Sequence, residues 1–222
     1  MNCPIVLKIK GRSISVGHLS KTLKSGYLPS DQQLQDINGY SRDGHLSDDY
    51  AQVYYHPEKN HAIISHRGTA PTVEDWANNA EFMADSYEST DRYKHAKDIQ
   101  EKTEEKYGAK NVSTIGHSQG AMLAEKLGSN SKESIGFNRP VNTHEIRKLK
   151  TTKKNHYDIR TARDPVSVGQ RMQYQSNDAV IIPSVNYFNL AAEHQVDTLD
   201  RLNENRLIGE GLKKHRTTYC HR

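Results

Sequence analysis

The sequence predicts an α/β fold, with a mostly parallel central sheet covered by helices on both faces. Three observations carry this reading. Residues 111–128 read as a short β-rich strand, a Gly-x-Ser-x-Gly turn and a helix closed by Gly128. Hydrophobic periodicity changes from two to about 3.6 beyond Ser65, which marks a passage from strands to helices. Further β-like runs then follow at 133–138, 156–161 and 179–182, the first two separated by a helix-like segment at 143–150. Helices alternating with short strands imply crossover connections and therefore parallel pairing.

Along the chain, residues 1–50 are poorly legible. A short helix at 16–25 is followed by the turn Gly26-Tyr27-Leu28-Pro29-Ser30-Asp31 and a short segment at 32–37. Residues 51–55 and 61–65 read as strands, and His56-Pro57-Glu58-Lys59-Asn60 between them predicts an antiparallel hairpin. Thr72 is placed to cap a helix whose first turn carries Glu74 and Asp75, with Trp76, Phe82 and Met83 toward the core. A helix at 91–107 ends at Gly108, a common C-terminal signal. The last helix, 196–207, places Val196, Leu199 and Leu202 on one side, and residues 208–222 are expected to form a polar, basic tail.

Neither an internal repeat nor a low-complexity linker divides the 222 residues, so one domain spanning 1–222 is expected. Only 34% of residues are hydrophobic, with a mean hydropathy of -0.89, which implies a modest core and a very polar surface. No run approaches the roughly 18 apolar residues of a membrane span, and 1–8 lacks the pattern of a secretory signal. Cys3 and Cys220 are expected as ordinary thiols in a reducing compartment, which makes the cytoplasm the default location. Net charge is +4, concentrated in Lys148-Leu149-Lys150-Thr151-Thr152-Lys153-Lys154 and Lys213-Lys214-His215-Arg216. These clusters read as a solvated helix end and a frayed tail; the alternative is peripheral contact with an anionic membrane. No nucleic-acid partner is expected, because neither aromatic interleaving nor a helix-turn-helix pattern accompanies the charge.

Gly116-His117-Ser118-Gln119-Gly120 has the layout of a nucleophile elbow, in which a strained strand-to-helix turn exposes a serine hydroxyl above the sheet. Such a pentapeptide is expected by chance only about 0.07 times in a chain of this length. A serine needs a histidine to take its proton, and the histidine needs a carboxylate to fix its tautomer. In a sheet of this kind the order is serine, acid, histidine. Asp164 fits the acid, since it follows a strand and precedes Pro165. Asp158 lies inside that strand and Asp178 precedes the next one. His194 fits the base, because His144 and His156 come before the acid and His215 and His221 lie in the tail. The N–H of Gln119 is one oxyanion donor. The loop Ile64-Ser65-His66-Arg67-Gly68-Thr69 offers the other through Thr69, with an ordinary Gly-Thr turn as the plain alternative.

In order along the chain, His66-Arg67-Gly68-Thr69, Asp75-Trp76, Gly116 to Gly120, Gly136-Phe137-Asn138-Arg139-Pro140, Asp164-Pro165-Val166 and His194 resemble the class 3 (fungal-type) lipases. The resemblance spans about 51–194. It implies an α/β-hydrolase fold and hydrolysis of carboxylic esters through an acyl-enzyme. Ser118, Asp164 and His194 would be catalytic, and Thr69 and Gln119 would form the oxyanion hole. Many members carry Leu and two glycines after the serine, where this chain has Gln119, Gly120 and Ala121. With no long amphipathic lid after Thr69, that difference favours soluble esters, or lipids at a charged surface, over bulk triglyceride. A phospholipase or acyltransferase at an anionic membrane, and a binding module without turnover, are the alternatives. Neither a metal cluster, a phosphate-binding loop nor a dinucleotide glycine motif appears, so no cofactor is expected.

Overall fold

A computed structural model describes residues 5–9, 12–68, 87–140, 155–167, 179–186, 188–203 and 216–218. The helix expected from Thr72, the segment at 143–150, both cysteines and nearly all of the basic clusters lie outside the described residues.

The chain opens with strands β1 (Ile5–Ile9) and β2 (Arg12–Ser15), paired antiparallel with Leu7 opposite Ile14. Ser15 then caps helix α1 (Val16–Ser25), its hydroxyl accepting the His18 N–H at 3.4 Å. Strands β3 (Asp36–Ile37), β4 (Tyr40–Arg42), β5 (Ala51–His56) and β6 (His61–His66) form an antiparallel meander. Helix α2 (Asp91–Tyr107) starts at Thr90, whose hydroxyl accepts the Tyr93 N–H at 3.2 Å, and stops at Gly108 with φ +82°. Short 3-10 turns at Tyr87–Ser89 and Ala109–Asn111 flank α2, and the remaining described elements are β7 (Val112–His117), α3 (Gln119–Leu127), β8 (Glu133–Phe137), β9 (His156–Thr161), β10 (Ala179–Ile182), α4 (Leu190–His194), a longer 3-10 helix (Val196–Asn203) and β11 (Arg216–Thr218).

Eight strands form the main sheet in the order β10-β9-β8-β7-β6-β5-β4-β3. From β6 to β10 all pairing is parallel, with Ser65 opposite Ile115 and Ile115 opposite Ile135. Strand alternation splits the core between two faces. Ile63, Ile115 and Ile135 pack with Leu19 and Leu23 of α1 and Leu199 and Leu202 of the 3-10 helix. Ile64, Val112 and Val53 pack with Ile99 of α2. Met122 and Leu123 of α3 join Ala96 of α2. Both faces are therefore covered, as parallel strands require.

One expectation is corrected. Residues 216–218, placed in a polar tail, form β11 and pair antiparallel with β1, with Leu7 opposite Arg216. Together β11, β1 and β2 make a second, three-stranded sheet. Backbone hydrogen bonding to a strand some 210 residues away stabilises this segment despite its basic composition. The helix expected at 196–207 is present over the described residues Val196–Asn203 and has 3-10 geometry. The poorly legible residues 1–50 also hold a buried layer, with Leu7, Ile14 and Val16 all in the main core.

Candidate active site

Parallel strands β6, β7, β8 and β9 all end on the same edge, and the loops that leave them meet there. Strand β7 runs into α3 through Ser118, which has φ +57° and ψ −127°. Such a backbone costs of order 1–3 kcal/mol in a non-glycine residue and persists only when its surroundings enforce it. Two close approaches do so. A Cβ on Gly116 would lie 2.0 Å from the Gly120 carbonyl oxygen, and one on Gly120 would lie 2.0 Å from that of His66. Only hydrogen fits at either position. The Ser118 N–H donates to the Phe137 carbonyl at 2.9 Å, which locks the turn onto β8.

Asp164 and His194 meet at this edge. His194 Nδ1 lies 2.8 Å from Asp164 Oδ1, and both side chains are buried, Asp164 completely. An ionised carboxylate only accepts, so Nδ1 carries the hydrogen and Nε2 is left as the basic nitrogen. The Asp164 carboxylate also accepts the N–H groups of Val166 at 3.2 Å and Ser167 at 3.0 Å, which fix its orientation. Asp158, the competing acid, lies elsewhere. It pairs with His156 Nε2 at 3.1 Å and lies 3.6 Å from Arg139 Nε. His156 stands opposite Ser134, at the beginning of the strands rather than at their ends.

A hydrogen-bond relay joins the surrounding loops. The Gly68 N–H donates to Tyr27 Oη at 3.0 Å, Tyr27 O–H donates to His117 Nδ1 at 2.6 Å, and His117 Nε2–H donates to the His194 carbonyl at 2.6 Å. This direction is the consistent one, since the carbonyl can only accept and the Gly68 amide can only donate. Burial raises Tyr27 to about 12 and, with the neighbouring His194, holds His117 well below the ordinary histidine value. Tyr27 therefore stays a hydroxyl and His117 stays neutral, as the relay needs. Asn138, at φ +49°, adds a second clasp: its amide nitrogen donates to the carbonyls of Glu193 at 3.1 Å and His194 at 3.2 Å, and its oxygen accepts the Thr161 N–H at 2.7 Å. The buried Glu193 carboxylate accepts from Val185 N–H, Asn186 N–H and Arg201. Burial opposes its ionisation, but Arg201 and the Asn186 amide hold it below the usual glutamate range.

Gly68 also backs directly onto the elbow: a Cβ there would come within 2.9 Å of both Ser118 Cβ and the His117 carbonyl oxygen. The loop expected to supply an oxyanion donor thus runs beside Ser118, although Thr69 itself lies outside the described residues. Gln119 begins α3, so its N–H has no acceptor within the helix. Gly68 and Gln119 both line a cavity of about 700 Å³, together with Asp48, Asp49, Tyr50, Arg67, Asp91, Arg92 and His95 among the described residues.

Tyr27, His117 and Asn138 are the site residues that sequence reasoning did not assign. Tyr27 sits in a Gly-Tyr-Leu-Pro turn with no spacing signal, and His117 occupies a variable place in the elbow motif. Twelve histidines hide it further.

Eight strands, parallel from β6 to β10, with helices on both faces and a strained serine turn at the strand ends, define an α/β-hydrolase fold. No protein-family model and no curated protein matches the sequence. Among solved structures, the chain is similar to the Lip2 lipase of Yarrowia lipolytica, with 15% identity and a TM-score of 0.48 over 76% of this chain and 77% of that one. It is also similar to a triacylglycerol lipase from Penicillium expansum, with 16% identity and a TM-score of 0.45 over 77% of each chain. Both likenesses are low, and it is the chain's own sheet order and elbow that define the fold.

Proposed function

We propose that this protein is a lipase-like serine hydrolase that cleaves carboxylic esters through an acyl-enzyme. The observation that carries the reading is the buried 2.8 Å bond between His194 Nδ1 and Asp164, on the same sheet edge as the strained Ser118. In this reading His194 Nε2 takes the Ser118 proton as Oγ attacks the ester carbonyl carbon. The oxyanion is held by the Gln119 N–H and by Thr69. His194 then protonates the departing alcohol, and water, activated by the same nitrogen, releases the acid and restores Ser118. Asp164 keeps the imidazole in the tautomer that can accept and stabilises its cation. Asp164 never needs to take the proton.

The coarse part of this reading, hydrolase chemistry at a serine, draws support from the elbow. The acyl-enzyme and the residue roles are the finer proposal. They are tested by turnover of a panel of soluble esters. Ser118→Ala and His194→Ala should each lower kcat by about three powers of ten or more, and Asp164→Asn by up to about 10⁴. A Ser118→Ala protein with unreduced turnover of every ester contradicts the assignment.

A further inference from the structure

We propose that Arg67 receives an anionic group, a carboxylate or a phosphate, carried by the ester that Ser118 cleaves. The proposal rests on the reading of Ser118 as nucleophile and names the class of substrate. The 700 Å³ cavity is lined by Gly68, which backs onto that residue, and by Gln119, which follows it in the chain. Among the described residues its wall has no aliphatic side chain; apart from Gly68 and Gln119 it is Tyr50 and six ionisable groups. The polar ends of these side chains offer hydrogen bonds to a short acid or headgroup.

Five of the six ionisable groups are already engaged. Asp48 pairs with His95 and accepts the Tyr50 and Ala51 N–H groups. Asp49 accepts the Ser30 hydroxyl, and Asp91 lies 3.7 Å from Lys94. Arg92 donates to the carbonyls of Arg67 at 2.6 Å and Tyr50 at 3.2 Å, its guanidinium carbon 4.3 Å from the centre of the Tyr50 ring. Of the six ionisable groups Arg67 alone has, among the described residues, neither a carboxylate at ion-pair distance nor a side-chain hydrogen bond. Its guanidinium carbon stands 5.7 Å from the centre of the Tyr50 ring, and its Nε is buried without an acceptor. A buried donor on a permanent cation is costly to leave unmet, and planar oxyanions match its fork. The Gln119 Oε1 atom is likewise buried without a partner in the same cavity; as an acceptor it suits a hydroxyl or N–H of the substrate rather than its anionic group.

The test compares esters matched in length. Mono-4-nitrophenyl glutarate against 4-nitrophenyl pentanoate probes the carboxylate; dihexanoylglycerol phosphate against dihexanoylglycerol probes the phosphate. The wild-type protein should favour the charged member of at least one pair about tenfold in kcat/KM, the worth of one charge-assisted contact. Arg67→Met should bring that ratio to about one, and Arg67→Lys should restore part of it. Which pair shows the preference identifies the source of the charge. Free glutarate or inorganic phosphate should also raise KM for the neutral ester in the wild-type protein, a measurement that needs no variant to fold. A ratio near one in the wild-type protein for both pairs, or one that survives in Arg67→Met, overturns the proposal while leaving ester hydrolysis standing. Calorimetric titration of the wild-type protein with glutarate and with phosphate separates the two readings: binding that disappears with Arg67→Met, in a wild-type protein that turns over no ester, supports the anion site and sinks the hydrolase.

Discussion

The ring of His117 and the backbone of His194 are joined directly: His117 Nε2–H donates to the His194 carbonyl at 2.6 Å, and the two rings lie 4.8 Å apart. The residue immediately before the proposed nucleophile therefore positions the loop that carries the proposed base. Through Tyr27 the same contact reaches Gly68, so the elbow, the proposed oxyanion loop and the histidine loop share one relay.

Breaking that relay should slow turnover without abolishing it. Tyr27→Phe leaves the Gly68 N–H and His117 Nδ1 without their partner, which should cost about 1–3 kcal/mol of stability in urea unfolding. His117→Phe should lower kcat more than it raises KM, because it loosens the His194 loop rather than the cavity. An unchanged kcat in both variants shows that the relay is structural only.

Strain at Ser118 separates two inactive variants. Glycine accepts φ +57° freely, whereas alanine does not. Ser118→Gly should therefore unfold at higher denaturant than Ser118→Ala, by about 1–2 kcal/mol once the greater entropy of the unfolded glycine chain is counted. Equal midpoints would mean that the turn is unstrained.

The elbow glycines should tolerate nothing larger. Gly120→Ala would push a methyl group to 2.0 Å from the His66 carbonyl oxygen, and Gly116→Ala would do the same against Gly120. Both partners are backbone, so the clash cannot relax by rotating a side chain. Each change should cost about 3 kcal/mol or more and appear as loss of soluble, folded protein.

Acid should weaken the fold in two stages. Burial lowers His18 and His61 to about 4 and His66 to about 3, with neighbouring cations adding to the effect. Their folded values lie below the unfolded value of 6.5, so their contribution is complete above that pH and is lost as pH falls toward 4 and 3. Burial pushes Asp158 up, but His156 and Arg139 hold it at about 2. Its contribution is complete above about pH 4 and lost toward pH 2. Urea midpoints should fall steadily from pH 7 to pH 4, less steeply in His66→Leu; a flat profile contradicts this assignment.

Much of this architecture is legible in the chain because its signals are local. Helix α2 is framed by Thr90 and Gly108, and strands β7 and β9 are short runs set between clear breaks. Strands β1, β2 and β11 are not legible, because what stabilises them is pairing between Ile5 and Thr218, which no window of neighbouring residues contains. The same division holds at the site. Ser118, Asp164 and His194 can be read from the order that serine chemistry demands, whereas Tyr27 and His117 act only through three-dimensional contact. Arg67 is visible in the sequence as a letter in a loop; that its guanidinium has no carboxylate partner among the described residues is visible only once the cavity is built.

The most direct measurement is covalent labelling with a fluorophosphonate, located by peptide mass spectrometry. A single adduct is expected on the peptide carrying Ser118, formed rapidly in the wild-type protein and slowed at least about a thousandfold in His194→Ala. A folded wild-type protein that takes up no label, or a label on Ser118 whose rate is indifferent to His194, would contradict the proposed roles of Ser118 and His194.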